Sequence, residues 1–172
     1  MKIKLFDKNS KEVPPRPSMS DESVKRLVIK NAVEALFSGK WCPFDEDERD
    51  DLLSTLLDKY SHHDDEYELA KKFENYGWDV DRGFFYNLEC VTGEINSEFS
   101  KSIKAWFDAY QPLPPLEIGS VIEVRGFCGK EKVTIESIYK YDPATYTVKM
   151  EDQEESDTSR RLIKFEDAVL AN

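Results

Sequence analysis

Tyr110-Gln111-Pro112-Leu113-Pro114-Pro115 divides the sequence into two parts with different hydrophobic periods. Proline has no amide hydrogen and its ring clashes with the preceding turn, so a helix reaching Tyr110 ends here. Proline-rich chain is also a semi-rigid spacer. Upstream, apolar residues recur at helical spacing; downstream, short runs alternate as half-buried strands do. The contrast predicts an α+β fold. A helical module spans 18–111, a proline linker 112–115 and a small β-barrel 115–172, with residues 1–17 as an N-terminal strand or arm.

Moving back from the prolines, five helices are expected. Ser20-Asp21-Glu22 starts the first, roughly 20–37, and Val24, Leu27, Val28, Val33, Leu36 and Phe37 give it one apolar face before Gly39. The second, roughly 45–61, opens on acids favoured at a helix N-terminus and carries Leu52, Leu53, Leu56, Leu57 and Tyr60. Asp64 and Asp65 open a third, with Gly77 as its stop. Asp79 is expected to cap a fourth that ends at Gly93, and a fifth holds Ile95, Phe99, Ile103, Trp106, Phe107 and Tyr110. At the front, Ile3 and Leu5 alternate with Lys2 and Lys4, and Val13-Pro14-Pro15-Arg16-Pro17 reads as a stiff polyproline-like connector.

Moving forward, Val121-Ile122-Glu123-Val124, Lys132-Val133-Thr134-Ile135, Thr145-Tyr146-Thr147-Val148-Lys149 and Arg161-Leu162-Ile163-Lys164-Phe165 read as strands. Gly126, Gly129, Asp142-Pro143 and the acidic run 151–157 fall between them as turns. A sheet this small is best closed, because an open one leaves both edges unprotected. The stretches Pro115-Leu116-Glu117-Ile118-Gly119-Ser120-Val121, 129–138, Tyr146-Thr147-Val148 and Ile163-Lys164-Phe165-Glu166-Asp167 resemble the small SH3-like barrels that include KOW and Tudor-type modules. The resemblance implies a protein- or nucleic-acid-binding module. Tyr76-Gly77-Trp78-Asp79-Val80-Asp81 looks like part of a small acidic accessory protein of bacteriophages or mobile elements, with no named family.

With 24 Lys and Arg against 35 Asp and Glu the formal net charge is −11, so the long-range field repels polyanions and favours basic partners. Nucleic acid is therefore the disfavoured partner class. No signal-peptide core and no run long enough for a membrane helix is present, so a cytoplasmic location and no membrane partner are expected. Cys42, Cys90 and Cys128 are far apart and form no CxxC pair, which suits packed, reduced thiols. The 21 aromatic residues are enough to build a core.

Most of the negative charge lies in one place. Residues 44–75 hold 12 acids and 4 bases. At 100° per residue, Asp47, Asp50, Asp51 and Asp58 cluster on one side of the second helix, opposite its leucines. Carboxylates at i, i+4 stand roughly 6 Å apart, a scale on which they imitate a row of phosphates. The expected function is accordingly non-catalytic: an acidic inhibitor or adaptor, phage- or mobile-element-encoded, that docks on a basic, nucleic-acid-binding host protein, if need be by nucleic-acid mimicry. Trp41 and Phe44, beside Pro43, are added as aromatic anchors for that partner.

The alternative is a nucleic-acid-binding accessory factor that uses Arg125, Lys130, Lys132, Tyr139 and Tyr141 of the barrel, where cations and aromatic rings interleave. No catalytic residues, cofactor or metal are expected. His62-His63-Asp64-Asp65 lacks the H-x-x-x-H spacing a zinc site needs, since adjacent side chains point apart. Neither G-x-S-x-G nor a phosphate-cradling glycine loop occurs.

Overall fold

A computed structural model describes residues 2–126, 129–151, 153 and 157–171. Cys128, and Asp152, Glu154, Glu155 and Ser156 of the acidic run, lie outside the described residues. The chain is α+β, with helices in its N-terminal half and an antiparallel sheet at its C-terminus. It divides into two compact units: Pro17–Ile103, and Met1–Arg16 together with Lys104–Asn172.

The helical unit contains α1 (Glu22–Ser38), a 3-10 turn (Glu46–Glu48), α2 (Arg49–Lys59), α3 (Glu66–Tyr76) and most of α4 (Arg82–Tyr110). Side-chain caps set where α1, α3 and α4 begin. Asp21, not Ser20, caps α1, its Oδ1 accepting the amides of Ser23 and Val24 at 2.8 and 3.4 Å. Asp65 Oδ1 accepts the amide of Glu68 at 2.8 Å to start α3. Gly77 stops α3 at φ 103°, the left-handed conformation glycine adopts without steric cost, and the Trp78 amide returns to the Phe73 carbonyl.

Two expectations are corrected here. The residue at the start of α4 is Asp81, whose Oδ1 accepts the Phe84 amide at 2.8 Å, rather than Asp79. Gly93 does not end a helix, so the expected fourth and fifth helices are one, 29 residues long. Glycine permits a break without requiring one, and its cost of about 1 kcal/mol in a helix interior is small beside the burial of Leu88, Val91 and Ile95 around it. These three pack with Val28, Ile29, Leu52, Leu56, Leu69 and Phe73 into the core of the helical unit.

In the sheet unit the strands are β1 (Val121–Gly126), β2 (Gly129–Ile138), β3 (Thr145–Met150), β4 (Arg161–Lys164) and β5 (Val169–Leu170). Their order is β4-β3-β2-β1-β5, with antiparallel pairing throughout and an irregularity between Ile135 and Ser137 of β2. A 3-10 turn, Phe165–Asp167, separates β4 from β5. Alternation puts Ile122 and Val124 of β1, Val133 and Ile135 of β2, and Tyr146 and Val148 of β3 into a core completed by Phe165, Ala168 and Trp106. Leu5 and Val13 of the N-terminal arm join that core. Pro112 is buried in this unit, and the Leu113 amide donates to the Phe6 carbonyl at 2.8 Å.

Candidate functional site

The acidic face of α2 begins before the helix proper. Asp47 stands on the 3-10 turn, where successive side chains advance by about 120° instead of 100°. It therefore does not share the α-helical register of Asp50, Asp51 and Asp58. All four are exposed, while Leu52, Thr55 and Leu56 on the other side are buried. The two sides follow from burial: leucines take the core and carboxylates take water. Asp50 and Asp51 also occupy the first turn, where the helix dipole favours anions, and Lys59 occupies the last.

Among the described residues Asp47, Asp50 and Asp51 enter no ion pair, whereas Asp58 is bound by Lys59 at 2.7 Å. That ammonium holds the Asp58 carboxyl below the usual carboxylate range. Arg49, the cation nearest in sequence, is occupied by Glu34 and Glu46 and lies 5.4 Å from the Phe37 ring centroid. The helical unit as a whole has 20 acids and 10 bases, against 15 and 14 in the sheet unit.

Beside the strip, Glu48, Asp51, Thr55, Tyr76, Trp78 and Asp79 line a depression of about 450 Å3. Trp78 is fixed in its wall by an indole N–H donated to Thr55 Oγ1 at 3.0 Å, and Thr55 in turn donates to the Asp51 carbonyl at 2.8 Å. Lys59 Nζ lies 5.1 Å from the Tyr76 ring centroid, a cation on an aromatic face. Only the turn after α3 brings Tyr76, Trp78 and Asp79 alongside α2, a juxtaposition that the pattern of α2 itself does not carry.

Of the two residues expected as aromatic anchors, one is exposed and one is buried. Trp41 is 67% exposed in the loop after α1. Phe44 is a core residue, 7% exposed and packed edge-on against Trp78 and Phe84 at 6.1 and 5.9 Å. Its side chain is therefore not on offer to a partner.

The five residues of the alternative site do not come together. Arg125 and Lys130 face each other at one end of the β1–β2 pair and Lys132 sits opposite Glu123, but Tyr139 and Tyr141 follow the far end of β2. Nine residues of extended chain separate Lys130 from Tyr139, on the order of 30 Å. Lys130 is also ion-paired with Glu123. Tyr139 and Tyr141 pack edge-to-face at 5.5 Å, and Lys140 lies over the Tyr141 ring.

The rings of His62 and His63 lie 3.8 Å apart, while Asp64 is bound by Lys72 at 2.6 Å and Asp65 caps α3. Among the described residues no group of three or more His, Cys, Asp or Glu is placed to hold a metal ion. Cys42 and Cys90 are half-buried free thiols. No helix among the described residues is long and apolar enough to cross a membrane. No family model matches the chain, and neither a curated protein sequence nor a solved structure matches it.

Proposed function

We propose that this chain is a non-catalytic, acidic protein-binding protein that docks on a basic, nucleic-acid-binding protein through the exposed face of α2. The observation that carries the reading is the set of exposed carboxylates of Asp47, Asp50 and Asp51, which enter no ion pair among the described residues, with the adjoining depression of Tyr76, Trp78 and Asp79. A lysine or arginine side chain entering it meets carboxylates at the rim and aromatic walls, the two features that bind a cation best at a surface. Trp41 adds an exposed aromatic contact. In such a complex the carboxylates take the place of phosphates, so the chain acts as an inhibitor or adaptor of its partner in the cytoplasm, as phage- and mobile-element-encoded proteins do.

The sheet unit is read as an SH3-like barrel and second contact. Its strand order and the 3-10 turn before β5 support that reading. So does Arg161 of β4, which donates to the carbonyl of Arg125 in β1 at 2.7 Å although the two strands are not neighbours in the sheet. Nucleic-acid binding by this unit has less behind it, because its proposed residues lie at two ends of β2.

The test starts with the tagged 172-residue chain and nuclease-treated lysate, identifying proteins retained at low salt and released at moderate salt. The retained protein is then purified and its binding measured against the Asp51→Asn, Asp79→Asn variant. A basic partner whose affinity falls by tenfold or more supports the reading. Retention only while nucleic acid is intact, or equal binding by the variant, overturns it.

A further inference from the structure

Arg16 and Glu166 are 150 residues apart in sequence and form a buried ion pair, Nε to Oε1 at 2.9 Å, with side chains 3% and 8% exposed. The same guanidinium donates through Nη2 to the Ala144 carbonyl at 2.7 Å and lies 5.3 Å from the Trp106 ring centroid. Its Nη1 is 3.9 Å from Asp142 Oδ1. Around it the arm is held by backbone: the Ile3 amide donates to the Glu166 carbonyl at 2.8 Å, and the Trp106 indole donates to the Pro14 carbonyl at 2.9 Å. Leu5 and Val13 are each 6% exposed.

The pair is incompletely satisfied. Arg16 Nη1 and Glu166 Oε2 are buried without a hydrogen-bond partner among the described residues. A buried pair of this kind adds little to stability compared with an apolar substitute, but losing one member strands the other charge and is costly. It joins the end of the arm to the 3-10 turn that follows β4. Ala144, which Arg16 grips, is one of few non-glycine residues with positive φ, at 51°, and it ends the loop that carries Tyr139 and Tyr141.

We infer that residues 2–16 are a strap completing the sheet unit, latched by Arg16 on Glu166, and that the latch also fixes the conformation of the 139–144 loop. Release of the strap uncovers the core positions occupied by Leu5 and Val13 and frees the tyrosine loop in the same event. The coupling is reciprocal: whatever holds the loop in its latched form also holds the strap. This inference stands independently of the function proposed for α2.

The experiment is amide hydrogen exchange, read by mass spectrometry on the 172-residue chain and its Arg16→Ala, Glu166→Gln and Arg16→Lys variants. Residues 17–103 serve as the internal control for folding. Arg16→Ala and Glu166→Gln are expected to raise exchange by at least about tenfold both in 3–13 and in 142–146, with 17–103 unchanged. Arg16→Lys, which keeps a charge opposite Glu166 but replaces the planar guanidinium fork that bonds Glu166 and Ala144 from two separate nitrogens, is expected to loosen 142–146 more than 3–13. Strap protection equal to the native protein in the first two variants overturns the inference, as does a loss spread evenly through 17–103.

Discussion

The indole N–H of Trp78 donates to the hydroxyl of Thr55 at 3.0 Å and ties the turn after α3 to the middle of α2. Thr55 is fully buried, and its own proton goes to the Asp51 carbonyl, so the hydroxyl is satisfied as both donor and acceptor. Thr55→Val keeps the shape and removes both bonds. An unpaired indole N–H of this kind costs about 1–3 kcal/mol. Thermal unfolding is expected to shift down by several degrees, while Thr55→Ser retains most of the native midpoint. A Val variant as stable as the native protein would show that water reaches Trp78.

Gly77 and Gly93 differ in what they do, and alanine tells them apart. Gly77 takes φ 103°, a conformation that costs an L-residue about 1–2 kcal/mol, although a Cβ there would meet nothing within 4 Å. Gly93 is an exposed residue inside α4, and a Cβ there also finds open space. Gly77→Ala is expected to destabilise by that strain. Gly93→Ala is expected to stabilise by about 0.5–1 kcal/mol through helix propensity. Chemical denaturation midpoints moving in opposite directions check both at once.

That contrast also marks what the sequence could disclose. Gly77 is legible as a stop because the apolar pattern of α3 ends with it; Gly93 is not a stop because Leu88, Val91 and Ile95 carry the pattern across it. Asp50, Asp51 and Asp58 are legible as one side of α2 because leucines and carboxylates recur at helical period along that element, whereas the 3-10 turn that takes Asp47 out of register leaves no mark in the pattern. Phe44 was not, since only the approach of Trp78 and Phe84 decides that it is buried. Arg16 was hidden for the same reason: its partners Ala144 and Glu166 are more than a hundred residues away, and a cation between prolines reads locally as exposed chain. The separation of Lys130 from Tyr139 follows from the full length of β2, which extends beyond the apolar run at 132–135 in both directions.

Tyr146 makes the sheet unit sensitive to alkali. Its ring is buried against Phe165 at 4.4 Å, and its hydroxyl donates to the Leu116 carbonyl and accepts the Leu116 amide at 2.8 and 3.0 Å. Burial pushes the phenol up from its ordinary value, outweighing the hydrogen bond to Leu116, and burial does the same to Tyr60 in the helical unit. A folded-state pKa above the unfolded one means that the stabilisation is fully present below about pH 10 and lost as pH rises through the folded value. Unfolding is expected to set in above that pH. With Tyr146→Phe, neutral stability falls by about 1–3 kcal/mol because the two Leu116 groups lose their partner. The remaining alkaline dependence becomes shallower, as a titration of denaturation midpoint against pH would show.

The carboxylates of α2 give a prediction about rate rather than stability. Asp47, Asp50 and Asp51 are exposed and unpaired among the described residues, so replacing them with asparagine breaks no ion pair; Asp58 loses only its exposed contact with Lys59. Surface pairs of that sort contribute about 0–1 kcal/mol, and Asp50 and Asp51 in the first turn of α2 about 0.3–1 kcal/mol each, so the quadruple Asn variant is expected to remain folded with its unfolding temperature lowered by a few degrees. Its encounter with a basic partner changes more. Like-signed carboxylates on a unit with 20 acids and 10 bases steer a cationic surface from beyond contact range, and added salt screens that attraction over about 8–10 Å. Stopped-flow association at several ionic strengths is expected to show a lower on-rate and a flatter salt dependence for the variant, with dissociation changed less. A salt dependence identical to the native protein would place the steering charge elsewhere, whereas a fall in dissociation lifetime without a change in on-rate would mean that the strip makes contacts but does not guide the encounter.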